Sequence, residues 1–126
     1  MPQARTVGRV LIPVSDQDVA IAFYARVLGF TLTADAPFGD GDRWVEVTPP
    51  GGGTALALVP PRGEFQPGRM TGVSLSSSDP RADHAELEGR DVDVDPGLWG
   101  GDGTVPLGFF FRDQDGNHLM IVEDQG

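Results

Sequence analysis

Residues 13–30 read PVSDQDVAIAFYARVLGF, and the order of elements within them decides the fold. Just upstream, Val10, Ile12 and Val14 alternate with Arg9, Leu11 and Pro13, so Thr6 to Val14 is predicted as a strand with two different faces. Ser15 then suits a helix N-cap, with Asp18 three residues on and Asp16 beside the positive helix end. Val19, Ala20, Phe23, Tyr24, Val27 and Leu28 recur at helical spacing, and Gly29 provides the stop. Strand-like runs follow at Phe30 to Ala34, Arg43 to Thr48 and Thr54 to Val59. The last two are joined by Pro49, Pro50 and three glycines, a connection that suits an antiparallel hairpin.

The same order returns after a Pro/Gly/Arg-rich linker. Gly72 to Ser76 reads as a strand, Ser78 or Asp79 as a cap with Pro80 in the first turn, and the helix runs to about Gly89. Strands are predicted at Val92 to Val94, Leu107 to Arg112 and His118 to Glu123. The turn DQDGN begins 64 residues after PPGGG, and Asp79 lies 63 residues after Asp16. Two tandem βαβββ units are therefore expected in one domain spanning residues 1–126: a first unit at 6–60, a linker at 61–70 and a second unit at 71–124. The fold class is α+β.

Composition narrows function by exclusion. The chain has 126 residues, no cysteine and a net charge of −10, which rules out a disulfide framework, a thiolate nucleophile and a cysteine-held metal. An acidic chain is a poor partner for polyanions, so no nucleic-acid role is expected. Met1 to Arg9 has no leader-like apolar run and no membrane span follows, so a soluble, cytoplasmic protein is expected. The acidity itself suits either plain solubility or attraction for a cationic ligand.

Three segments, PVSDQDVAIAFYARVLGF at 13–30, RWVEVTPPGG at 43–52 and FRDQDGNHLMIVE at 111–123, together resemble the vicinal oxygen chelate superfamily, which contains glyoxalase I, bleomycin-resistance proteins and extradiol dioxygenases. The resemblance covers about Val7 to Glu123. It implies that the two units curl a mixed sheet into an open cup with helices outside. It also implies, in metal-dependent members, four ligands from the first and last strand of each unit. Those positions fall on Arg9, Leu56, Gly72 and Met120, none of which offers a side-chain donor for a hard metal ion. No metal or cofactor is expected.

The resemblance further places Arg9 and Glu46 inside the cup, where an ion pair is expected across the former metal position; the bland alternative is that both lie in water. If the pair is desolvated, removing Arg9 should cost roughly 3–5 kcal/mol. Trp44, Leu56, Leu58, Gly72, Phe110, His118 and Met120 are the other expected ligand-binding residues, each also explicable as packing or a turn. Trp99 suits a lid, a dimer contact or partial burial. His84 is expected to be solvent-exposed, and the aspartates of DVDVD at 91–95 to form a solvated strand face. These features together imply a metal-independent homodimer holding a small cationic or aromatic molecule, such as an antibiotic. A lyase, isomerase or dioxygenase-like enzyme using His118 and Glu46 is the alternative, and a cup filled by its own side chains, serving only association, is a third reading.

Overall fold

The computed structural model describes residues 1–124, and the chain divides into two compact units, Met1–Pro67 and Gly68–Gly126. In the first, strand β1 (Arg9–Pro13) is followed by helix α1 (Gln17–Ala22), a π-helical continuation (Phe23–Val27), and strands β2 (Thr31–Phe38), β3 (Asp42–Thr48) and β4 (Ala55–Val59). The sheet order is β1-β4-β3-β2, with β1 parallel to β4 and the other neighbours antiparallel. The expected hairpin between the last two strands is therefore present.

The cap of α1 is Asp16 rather than Ser15: its Oδ1 accepts from the backbone N–H groups of Asp18 and Val19 at 2.9 and 3.1 Å. Asp16 has the extended backbone an N-cap needs, at φ −142° and ψ 112°. Gln17 then fixes the helix to the sheet, its Nε2 donating to the carbonyls of Arg43 and Leu58 at 2.8 and 2.9 Å. The last turn widens, with Leu28 N–H reaching Phe23 O at 3.2 Å, and Gly29 leaves the helix at φ +76°. Beneath it, Ile12, Val14, Ala20, Tyr24, Val45, Val47, Leu56 and Leu58 are buried. Tyr24 packs edge-on to Phe23 and tilted against Phe30.

The second unit has β5 (Met70–Ser77), α2 (Pro80–Gly89), β6 (Gly108–Arg112) and β7 (His118–Glu123), in the order β5-β7-β6. Asp79 caps α2, accepting from Ala82 N–H at 3.1 Å, and Pro80 occupies the first turn where its missing N–H costs nothing. The strand expected at Val92–Val94 is reduced to isolated bridges, Val94 to Phe111 and, further on, Trp99 to Gly108. Pro96 has no N–H to continue a ladder, and the left-handed Asp91 (φ +61°) turns the chain just before it.

Two side-chain expectations change here. Asp93 and Asp95 are not merely solvated: they hold the Arg112 guanidinium at 2.8 and 2.7 Å. His84 is buried, not exposed, because α2 turns its ring against Phe109 (centroids 4.9 Å apart, near-perpendicular), while Nε2 donates to Asp95 O at 2.7 Å. The DQDGN segment is a hairpin turn, as expected, built around a buried pair. Asp113 Oδ1 accepts from the N–H groups of Asp115 and Asn117, and Asn117 Nδ2 donates to Asp113 Oδ2 at 3.0 Å. Asn117 Oδ1 in turn accepts from Gly68 N–H, fastening the start of the unit to its last hairpin. Among the described residues, no helix is long and apolar enough to cross a membrane.

Candidate functional site

Side chains alternate along a strand, so the register assigns each residue of the first unit to one face of its sheet. Leu56 lies beside Val10 and Leu58 beside Ile12, whereas Ala57 lies beside Leu11 and across from Glu46. Leu56 and Leu58 therefore face the α1 side with Val45 and Val47, and both are core rather than ligand-binding residues. The expectation failed because the two hairpins differ in length. The paired residues Glu46 and Ala57 are eleven positions apart, whereas their counterparts Phe110 and Met120 are ten apart. A single added residue in the Pro/Gly connection inverts the strand's faces. The position taken for Leu56 belongs to Ala57, which likewise has no metal-binding group.

The opposite face carries Arg9, Leu11, Trp44, Glu46, Ala57 and Val59. Here the expected ion pair forms: Arg9 Nε donates to Glu46 Oε2 at 3.1 Å. It is not a desolvated pair, since the Arg9 side chain is 52% exposed while that of Glu46 is 13% exposed. The same Oε2 accepts from Trp44 Nε1 at 2.6 Å. Glu46 thus joins an arginine at the strand edge to an indole on its own strand.

Trp44 forms part of a cavity of about 370 Å³ on this face. Leu11, Trp44 and Val59 supply strand-borne walls, Phe38 comes from the β2–β3 hairpin, and Phe65 from the segment after β4. Phe38 and Trp44 rings lie 6.3 Å apart, and Leu11, Phe38 and Phe65 stay exposed although strongly apolar. Asp42, Arg43 and Arg62 are the charged residues of the wall. Arg43 is already committed: its Nε and Nη2 grip both oxygens of Asp35 at 2.7 and 2.9 Å, and Nη1 reaches Asp18 at 2.7 Å. That grip holds the Asp35 carboxyl below the usual carboxylate range and raises the Arg43 pKa further.

Leu11, Phe38, Val59 and Phe65 went unnoticed in the sequence. The available signal was a phenylalanine beside Gly39 and another between Pro61 and Pro67, aromatic side chains in punctuation segments where core has little use for them.

In the second unit Phe110 and Met120 are cross-strand partners, as are Arg112 and His118, so Phe110, His118 and Met120 share a face as expected. Trp99 lies against Phe110 (centroids 6.0 Å apart) and over Gly108, where an added Cβ would stand 2.6 Å from the indole. Its buried Nε1 has no hydrogen-bond partner among the described residues. Gly72, at φ +77°, sits in the irregular stretch between Met70 and Ser74, where β5 loses its pairing with β7.

By side-chain chemistry, Arg9 and Ala57 in the first unit offer a guanidinium and a methyl, and Gly72 and Met120 in the second offer no side chain and a thioether, none of them a donor suited to a hard metal ion. Among the described residues, no group of three or more His, Asp or Glu side chains is placed to hold one.

Comparison with known proteins agrees with this architecture. Residues 6–121 match the family model of the Glyoxalase/Bleomycin resistance protein/Dioxygenase superfamily. The crystal structure of a member of that superfamily from Sphaerobacter thermophilus is 32% identical, with a TM-score of 0.89 over 98% of this chain and 100% of that one. TnmS3, an antibiotic binding protein from Streptomyces sp. CB03234, is 35% identical, with a TM-score of 0.84 over 99% of this chain and 100% of that one. The uncharacterized protein YetH of Bacillus subtilis is 27% identical over 124 residues, covering 94% of this chain and 98% of its own.

Proposed function

The chain belongs to the Glyoxalase/Bleomycin resistance protein/Dioxygenase superfamily, and on that premise we propose that it is a metal-independent protein that binds and sequesters a small aromatic, cationic molecule such as an antibiotic. The observation that carries this reading is the cavity of about 370 Å³ between Trp44, Phe38 and Phe65, whose size and apolar walls suit a compact planar ligand. The similarity to TnmS3, an antibiotic binding protein, supports the same class of ligand. Arg9, Ala57, Gly72 and Met120 bring no hard-metal donor to the family's ligand positions, which supports metal independence. The net charge of −10 favours a basic ligand over an acidic one. A cytoplasmic homodimer completes the proposal by family analogy.

Titration of the purified protein with basic glycopeptide and planar aromatic antibiotics tests it through tryptophan fluorescence. Saturable quenching is expected, and its absence across both groups removes the binding reading. Stoichiometric Ni, Zn, Mn or Fe surviving dialysis would overturn the metal-independent part and reopen the enzyme alternative built on His118 and Glu46. Light scattering at micromolar concentration tests the dimer.

A further inference from the structure

Glu46 is a mostly buried carboxylate with an uneven set of partners. Both of its side-chain hydrogen bonds, from Arg9 Nε and Trp44 Nε1, end on Oε2. Oε1 has no partner among the described residues. Its cross-strand neighbours on the same face are Ala34 and Ala57, neither of which has a side-chain donor. A carboxylate removed from most of its water is costly unless its lone pairs are served; here Oε2 is served by protein donors, and Oε1 is left to solvent or a ligand. The side chain is still 13% exposed, and Oε1 is not among the fully buried atoms without a partner, so this oxygen is reachable; Glu46 does not itself line the cavity but stands two residues along the strand from Trp44, which does.

We propose that Glu46 determines the specificity of this site. Oε2 fixes the Trp44 indole with its N–H turned away from the ligand, and Oε1 accepts a hydrogen bond from an ammonium or ring N–H of a planar aromatic ligand lying against that indole. This deepens the reading of the cavity as a small-molecule site and rests on it. The ligand class that follows is a nitrogen-bearing polycycle with a donor at its edge; an aromatic acid would set two negative charges against each other. Arg9 is a positioning residue, holding the carboxylate in place from the more exposed side.

The test uses full-length protein carrying Trp99→Phe, so that Trp44 is the sole indole, and two tricyclic probes of similar shape: proflavine, a cation with N–H donors, and anthracene-2-carboxylate. Proflavine should quench Trp44 saturably and bind at least tenfold more tightly than the acid. Glu46→Gln, which keeps an acceptor but removes the charge, should erase most of that preference, and Glu46→Leu should also shift the emission of free Trp44 as the indole N–H loses its partner. Melting curves of each variant establish that the fold persists. Should either folded variant bind proflavine like its parent, or should the acid bind as well as the cation, the specificity role is wrong while the cavity stands as a binding site. If neither probe quenches Trp44, the binding reading and this one fall together.

Discussion

At the scale of single residues, the Arg9–Glu46 contact was foreseen from the family resemblance, but its energetics were not. The family's frame placed Arg9 in the cup, and the repeat correspondence with Phe110 placed Glu46 there; only the exposure of Arg9, at 52%, shows that water already solvates its guanidinium. The cost of Arg9→Leu is therefore expected to be about 1 kcal/mol or less, in the range of surface ion pairs rather than buried ones. Urea denaturation checks this, a loss of several kcal/mol being the contrary result. Gly108 makes a stronger claim. An added Cβ would meet the Trp99 ring at 2.6 Å and the Ile121 carbonyl oxygen at 2.8 Å. Gly108→Ala should thus destabilise by about 1–3 kcal/mol, as overpacking does, and should change Trp99 emission. Leu56 and Leu58 show where reading stops at this scale. Both are apolar and β-placed, and nothing in their identity reveals that the preceding turn holds one residue more than its counterpart.

Elements were legible wherever a period ran long enough to be seen. The helix after Ser15 and the strand at His118–Glu123 were foreseen, the latter to the residue. The cap of α1 was displaced by one position, since Ser15 and Asp16 are both good acceptors and only the backbone turn selects between them. Asp16→Ala is expected to cost about 1 kcal/mol, measurable as a shift of a few degrees in thermal melting. Val92–Val94 had the alternation of a strand, yet Pro96, which has no N–H to donate, ends the pairing with β6 after a single bridge at Val94.

Strand pairing also bears on acid stability. Arg43 holds Asp35 across β2 and β3, and Arg112 holds Asp93, so both carboxyls have folded pKa values below the ordinary 3.8. The folded state then binds fewer protons than the unfolded chain near that pH. The stabilisation is complete above the unfolded pKa and is lost as pH falls through the folded ones. Melting temperature should accordingly hold steady from pH 7 to about 5 and fall below about 4. Arg43→Leu should lower the plateau and flatten part of that fall.

For the whole molecule, the repeat in the sequence foretold two units, and two units are present, each with its own sheet. The repeat could not foretell the cavity. Its walls come from one unit alone and include side chains from the segments around Gly39 and between Pro61 and Pro67, where no periodicity guides a reader. Binding should act on the stability of the entire chain: a ligand present at a hundred times its Kd adds about 2.7 kcal/mol, visible as a rise in melting temperature. With a net charge of −10, a cationic ligand's affinity should also weaken as salt rises from 20 to 500 mM, whereas a neutral one's should not.

The bond from Gly68 N–H to Asn117 Oδ1 has a temporal consequence. Strand β5 lies beside β7, and the clasp at its entrance needs the turn at 113–117, so the second unit cannot close until residues 113–123 have been synthesised. The first unit has every strand it pairs with by residue 59 and can fold long before. Between those moments β5 waits on the ribosome as an unpaired edge. Ser74, Ser76, Ser77 and Ser78, together with the nearby Asp79, make that waiting strand a poor template for other chains. A strand so rich in hydroxyls and so near an aspartate is expected to stay unpaired with other chains until β7 arrives beside it.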